Sequence, residues 1–101
     1  MQKVHKVEGS YTPYDIDKMS DADVLAYEYH EGIYDGSGNA IYRIAGKWYH
    51  HNMGHCSCYG PFEEVNRHEV GANSLTALVK SFSKELKTEC AAILKLLSRY
   101  N

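Results

Sequence analysis

The last third of the chain carries the feature that most restricts its fold, a stripe of apolar residues at helical spacing. Their intervals are mostly three, four or seven positions, which at about 100° per residue places them on one face of a helix. The stripe consists of Leu75, Leu78, Val79, Phe82, Leu86, Cys90, Ile93, Leu94 and Leu97. Asn73 or Ser74 can cap its start. The pattern predicts a long amphipathic helix over 73–100, which requires a second layer to bury its apolar face.

Residues 23–52 are predicted to supply that layer. Segments 24–29, 40–45 and 47–51 are rich in β-branched and aromatic residues, and glycine-containing turns separate them. Such segments are typical of short antiparallel strands. For residues 23–31 a helix capped by Ser20 remains an alternative. We therefore expect an α+β fold, in which a β-meander of about three strands is covered by the long C-terminal helix.

Length and composition predict one domain over residues 1–101, because the chain is 44% hydrophobic and carries a formal net charge of −2. Within it we expect an N-terminal loop with a short helix over 1–22, the β-meander over 23–52, a Cys/His loop over 53–72 and the helix over 73–100. No apolar stretch of membrane-spanning length and no apolar N-terminal signal segment is evident. We expect a cytoplasmic protein without a membrane partner.

Charge is unevenly distributed along the chain. Residues 1–70 hold six Lys or Arg and eleven Asp or Glu, whereas residues 71–101 hold five and two. An acidic stretch over 15–35 can steer the protein to a basic partner, and tyrosine is common at protein interfaces. The alternative is that this stretch is only solvated or pairs with the basic helix. The predicted contact surface consists of Asp21, Asp23, Glu28, Glu31, Asp35, Tyr27, Tyr29 and Tyr34.

The predicted helix suggests two further partners. Its polar face carries Lys80, Lys84 and Lys87, which are candidates for contact with nucleic acid phosphate. The acidic net charge of the chain argues against this contact, since such cations are commonly only the solvated side of a helix. The apolar stripe is longer than three strands can cover, so self-association through the helix is a second hypothesis.

Cysteine and histidine concentrate between residues 50 and 68. Thiolates and imidazoles are the ligands that zinc prefers, so the segment is a candidate zinc site. The candidate ligands are His50, His55, Cys56, Cys58 and His68. The spacing argues against it, because the usual zinc frameworks have a second cysteine pair and small thiols often pack as hydrophobic groups. A thiol enzyme, with a cysteine activated by a histidine, is a third hypothesis.

Three short segments resemble a group of small uncharacterised proteins from bacteriophages and bacteria. These are the Gly36-Ser37-Gly38 turn, the aromatic segment Lys47-Trp48-Tyr49-His50, and the block Gly54-His55-Cys56-Ser57-Cys58-Tyr59-Gly60-Pro61. The resemblance covers residues 27–64 and implies a viral or mobile-element origin. By analogy it implies a non-catalytic protein that binds and inhibits or redirects a host protein, such as a defence or nucleic-acid-processing complex, as anti-CRISPR and other counter-defence proteins do. We favour this function over the zinc-binding domain and the thiol enzyme.

Overall fold

The structure, a computed structural model, describes residues 2–32, 35–54, 60–63 and 70–100. It is an α+β fold, as the sequence predicts. Strands β1 (Lys3–Lys6), β2 (Val24–Glu31), β3 (Gly36–Ile44) and β4 (Lys47–Asn52) precede helices α1 (Leu75–Lys80), α2 (Lys84–Glu89) and α3 (Ala91–Leu96). A short 3-10 helix spans Ile16–Met19, near the predicted N-terminal helix. No helix of the described ranges is long and apolar enough to cross a membrane.

The antiparallel meander is confirmed, since β2, β3 and β4 lie side by side in chain order. Residues 24–31 are a strand, so the helical alternative for this segment is wrong. Val24 and Ala26 pack towards the helices, while Leu25 and Tyr27 pack against the opposite layer. Burial on both faces explains why this segment is apolar without strict alternation with polar residues.

The expected number of strands is wrong, because a fourth strand, β1, pairs in parallel with β2. It is short, lies at the edge of the sheet and carries a lysine at each end, Lys3 and Lys6. Short edge strands with charged residues are poor templates for unwanted pairing with other chains. Because of these lysines, the segment lacks the run of β-branched and aromatic residues that usually indicates a strand.

The expected long helix over 73–100 is also wrong, because the segment forms three short helices. Ser83 has an extended backbone (φ −66°, ψ 165°), and its hydroxyl accepts a hydrogen bond from the Leu86 amide at 3.1 Å. Its side chain therefore begins a new helix and ends the previous one. A second interruption lies at Cys90, between α2 and α3. The apolar stripe still faces the sheet, with Leu78, Phe82 and Ile93 buried.

The sheet is buried between two layers. On one face, α1 lies over β4, and α3 lies over β1 and β2. On the other face, Met19 of the 3-10 helix and Phe62 pack on the sheet tyrosines Tyr27, Tyr29 and Tyr42. The helices leave the two ends of their face of the sheet partly open. Each of these ends contains a pocket lined by charged residues.

Gly36 and Gly38 do not form the predicted turn, because they belong to β3. A Cβ atom added at Gly36 would overlap the Tyr29 hydroxyl, and one added at Gly38 would overlap the carbonyl oxygen of Glu28. The two glycines are therefore required by the close approach of β2 to β3. β2 ends at Glu31 and β3 begins at Gly36, and the Gly32 amide donates to the Asp35 carbonyl at 2.6 Å.

Candidate functional site

A polar cleft lies at the end of the sheet where β2 passes into β3. The strand register places Glu28, Asn39 and Asn52 in one row across β2, β3 and β4. They lie on the helix side of the sheet, because Glu28 has the same parity as Val24 and Ala26. The cleft encloses about 230 Å³. Its lining consists of Glu28, His30, Ser37, Gly38, Asn39, Asn52 and Glu89.

A hydrogen-bonded chain forms one wall of the cleft. Nε2 of His50 lies 2.7 Å from Oδ1 of Asn39, and Nδ2 of Asn39 donates to Oε1 of Glu89 at 3.4 Å. A carboxylate only accepts hydrogen bonds, so the Asn39 amide must present its nitrogen to Glu89 and its oxygen to His50. His50 therefore carries its proton on Nε2 and donates it to Asn39. Asn39 is only 6% exposed. The hydrogen bonds with His50 and Glu89 give both its amide oxygen and its amide nitrogen a partner.

His50 is held as a neutral donor. Its ring packs edge-on against Phe82, with the ring centroids 5.3 Å apart. Burial lowers the pKa of His50 first, the neighbouring His51 lowers it further, and Glu89 opposes both effects. A neutral imidazole with its Nε2 proton engaged by Asn39 fixes the position of that amide. His50 and Asn39 therefore order the cleft wall without adding a positive charge beside Glu89.

Acidic side chains lie in the cleft and beside it. Glu28, in the cleft, lies 3.5 Å from Nε2 of the exposed His30. Glu31, at the end of β2 and on the opposite face of the sheet, accepts a hydrogen bond of 3.2 Å from the Tyr29 hydroxyl. Asp35 is exposed in the adjoining turn. We call Glu28, Glu31, Asp35 and Glu89 the acidic end. In the described part of the chain, no Lys or Arg forms an ion pair with these four carboxylates.

The predicted contact surface is divided by the fold. Asp23 lies at the opposite end of β2, where it pairs with Arg43 at 2.6 Å. Eight residues of strand separate Asp23 from Glu31, a distance of about 26 Å at the usual rise of a strand. Asp21 lies close to Asp23 in the chain. Glu28, Glu31 and Asp35 therefore act together at one end, and Asp21 and Asp23 do not belong with them.

The tyrosines of the predicted surface require a correction. Tyr27 and Tyr29 are 2% and 0% exposed and pack beneath the layer that contains Met19 and Phe62. Their side chains are core residues and cannot meet a partner on this fold. Tyr34 lies outside the described residues.

The zinc hypothesis depends mainly on residues outside the described part, namely His55, Cys56, Cys58 and His68. His50 faces the helices. Met53 and Phe62, which lie in the described parts of the Cys/His loop, pack on the other face of the sheet, and the Phe62 amide donates to Asp15 at 2.9 Å. Across the described ranges no group of three His, Cys, Asp or Glu side chains could hold a metal ion. Zinc binding stays a prediction, and its proposed ligand His50 is on the face opposite Met53 and Phe62.

Cys90 is the cysteine within the described residues, and its side chain is a thiol and not a thiolate at neutral pH. It is fully buried beneath the cleft, and burial, followed by the nearby Glu89 and Glu28, raises the pKa of its thiol to about 11. A thiol with this pKa stays protonated at neutral pH and is a poor nucleophile. The thiol-enzyme hypothesis therefore rests on Cys56 and Cys58 alone.

The predicted nucleic-acid and self-association surfaces lie on the outer side of the helices. Lys80, Lys84 and Lys87 are exposed. Lys80 and Lys87 border a groove of about 330 Å³ with a floor that includes Val79 and Leu94. The groove is the part of the apolar stripe that the sheet leaves uncovered. Binding of nucleic acid and self-association through this surface both stay predictions.

Sequence reasoning identified Glu28 and His50 but missed Asn39 and Glu89, which complete the cleft. Asn39 lay in the segment interpreted as a turn, and Glu89 was not among the candidate residues of the predicted helix. The assignment of the cleft as a candidate site therefore depends on its geometry alone. No family model, no curated protein and no solved structure matches the chain.

Proposed function

We propose that the protein is a non-catalytic binding protein of the phage type, whose acidic end docks on a basic surface of a host protein and inhibits or redirects it. The host target would be a defence or nucleic-acid-processing complex, because such machinery carries the basic grooves that an acidic protein can occupy. The observation that carries the proposal is the concentration of Glu28, Glu31, Asp35 and Glu89 at one end of the sheet.

The electrostatics of the acidic end support docking. Charges that already have an internal partner gain little from a second one, whereas unpaired carboxylates attract cations at long range. Asp23 is paired with Arg43, but the four carboxylates of the acidic end have no Lys or Arg partner in the described residues. The carboxylates of the acidic end therefore remain available to the cations of a basic surface.

The shape of the acidic end also supports docking. Glu28 and Glu89 both line the cleft, and Asn39 and His50 hold its wall in place. A lysine or arginine side chain from a partner can enter between the two carboxylates. Side chains that are fixed before binding lose less conformational entropy when the partner arrives.

The test removes the charges and preserves the shapes of the side chains. The triple variant Glu28→Gln, Glu31→Gln, Asp35→Asn should lose the partner that the wild-type protein captures from host lysate. With that partner purified, we expect its affinity to fall by about tenfold or more and its salt dependence to weaken. Affinity is measured by calorimetry or biolayer interferometry at two salt concentrations.

The matched control changes the same number of carboxylates elsewhere. Glu8→Gln, Asp17→Asn and Asp21→Asn change exposed residues that do not belong to the acidic end. The control should retain affinity, and both triple variants should unfold near the wild-type temperature. Equal losses of affinity in both variants would show that only net charge matters and would refute docking through the acidic end.

A further inference from the structure

The other end of the sheet contains a basic pocket that none of the hypotheses above uses. Lys3, Val24 and Arg43 lie in one row across β1, β2 and β3. Lys3 and Arg43 therefore flank Val24 on the helix side, with their Cα atoms about 10 Å apart at the usual strand spacing. Arg99 and Tyr100, which follow α3, also line the pocket. It encloses about 330 Å³ and has Asp23 at its border.

Arg43 is fixed in place before any ligand arrives. Its Nε and NH2 groups donate to the Asp23 carboxylate, the shortest of these bonds being 2.6 Å. Its guanidinium also lies over the rings of Trp48 and Tyr100, at 5.4 and 5.7 Å from their centroids. Such contacts orient an arginine, and they leave its remaining N–H groups available to an oxyanion.

Lys3 and Arg99 are close enough to act on a common neighbour. His5, two residues after Lys3 on the same face of β1, has its Nε2 atom 3.1 Å from the Tyr100 hydroxyl. Burial lowers the pKa of His5 first, and the positive charges of Arg99 and Lys3 lower it further. The two cations therefore create a positive potential in this corner of the molecule. With Arg43 and Asp23, the pocket lining carries three positive charges and one negative charge, a balance of +2.

We infer that this pocket binds the phosphate group of a small phosphorylated molecule. Lysine and arginine side chains that converge from separate elements are the usual ligands of phosphate in proteins. The volume of the pocket is near the lower limit of about 300 Å³ for small-molecule sites, which fits a phosphate with a modest group attached. A pocket of about 330 Å³ holds one phosphate with its attached group and not several nucleotides, so it suits a terminal phosphate better than a continuous nucleic acid strand.

The experiment titrates the full chain with four probes: inorganic phosphate, adenosine 5′-monophosphate, adenosine, and a short oligothymidylate without terminal phosphates. We expect adenosine 5′-monophosphate to bind, with amide NMR shifts centred on Lys3, Val24, Arg43 and Arg99, and adenosine not to bind. Comparable binding of inorganic phosphate would show that the phosphate group alone is recognised. Tighter binding of the monophosphate would show that the attached group contributes as well.

Two variants test whether these cations carry the binding. Lys3→Gln and Arg99→Gln should each weaken adenosine 5′-monophosphate binding by about tenfold, the usual effect of losing one charge-assisted hydrogen bond. Lys95→Gln removes the same charge from an exposed position on α3 and should retain the affinity. Thermal unfolding of all three variants verifies that each is folded.

Several results would overturn the inference. Adenosine binding as tightly as its monophosphate would show that phosphate is not recognised. Tighter binding of the oligothymidylate would show that the site accepts a nucleic acid strand and not a small molecule. Equal affinities in Lys3→Gln, Arg99→Gln and Lys95→Gln, or no binding of either phosphate probe, would show that this pocket does not hold phosphate.

Discussion

The two open ends of the sheet differ in which of their groups the protein holds in place. At the acidic end the fixed groups are neutral, since His50 and Asn39 are joined by a hydrogen bond while Glu28 and Glu89 border the opening. At the basic end the fixed group is charged. The guanidinium of Arg43 donates to Asp23 and lies over the rings of Trp48 and Tyr100. Both arrangements lie on the helix side of one sheet.

The difference indicates two modes of recognition. Carboxylates around a rigid neutral wall can adjust to a large partner, and they remain charged and solvated until it arrives. A guanidinium that is already oriented can form bonds of fixed geometry with a small anion. The acidic end is therefore suited to a protein surface, and the basic pocket to a single phosphate.

The strand register creates this polarity. Counted along the chain, the acidic excess belongs to residues 1–70 and the basic excess to residues 71–101. In the fold, however, Lys3 and Arg43 from the acidic part join Arg99 at the basic end, and Glu89 from the basic part joins the acidic end. Charge is separated along the strands, and not between the first part of the chain and the helices.

The largest effect is expected from disrupting the wall of the acidic end. Asn39→Ala removes the amide that accepts from His50 and donates to Glu89, and it leaves the buried His50 donor without its partner. Loss of a buried hydrogen-bond partner costs about 2 kcal/mol of unfolding free energy. Urea denaturation followed by circular dichroism measures this loss.

Asn52 provides the matched control for Asn39. It lies in the same row of the same cleft but is exposed. Asn52→Ala should change the free energy of unfolding by less than about 0.5 kcal/mol, as is usual for surface substitutions. If the two alanine variants were equally stable, the hydrogen-bonded chain would not be what orders the acidic end.

A smaller effect is expected from releasing the fixed charge at the basic end. Arg43→Gln removes the ion pair with Asp23 and the contacts with the Trp48 and Tyr100 rings. The side chains of the pair are 32% and 48% exposed, so solvent screens most of their attraction. We expect a loss of about 1 kcal/mol, shared between the ion pair and the ring contacts.

A double-mutant cycle separates the two contributions. Combining Arg43→Gln with Asp23→Asn should reveal a coupling energy below about 1 kcal/mol, with the remaining loss due to the rings. Thermal unfolding of the four proteins supplies the values. A coupling as large as the whole loss in Arg43→Gln would mean that Asp23 alone holds the guanidinium.

The sequence predicts the meander and the buried face of the helices because these depend on local periodicity. Leu78, Phe82 and Ile93 are buried as their spacing requires. The helix breaks were missed because the apolar period continues through Ser83, whose hydroxyl nevertheless starts a new helix. The N-terminal segment was compatible with a loop or a short strand, but β1 was not expected in the sheet because two of its four residues are lysines.

The cleft was only half predictable for a different physical reason. Glu28 and His50 can be chosen as candidate site residues from their side-chain chemistry, but which residues lie beside them depends on long-range packing. Asn39 is 11 residues from His50 and 50 residues from Glu89 in the chain. Those contacts require the register of β3 with β4 and the position of α2, neither of which a local pattern determines. The basic pocket was missed for the same reason, since it joins β1, β3 and the residues after α3.

The smallest expected effect concerns the dependence of stability on pH, and it tests whether the wall of the acidic end is neutral. The pKa of His50 in the folded protein is below its usual value of 6.5, so the unfolded chain binds a proton more readily. The free energy of unfolding should therefore fall as the pH falls below about 6.5, by less than about 1.4 kcal/mol per pH unit. His5 contributes with the same sign, because its pKa is also lowered.

Two variants separate the contribution of His50 from the rest. His50→Gln keeps a donor towards Asn39 but cannot titrate, so its stability should fall less steeply between pH 7 and pH 5, as measured by urea denaturation. Asn52→Gln changes an exposed side chain of the same cleft without removing a titratable group, and it should keep the wild-type slope. A wild-type slope in His50→Gln would mean that His50 accepts its proton as easily in the folded protein as in the unfolded chain. The wall of the acidic end would then carry a positive charge below pH 6.5, and it would resemble the fixed charge of the basic end.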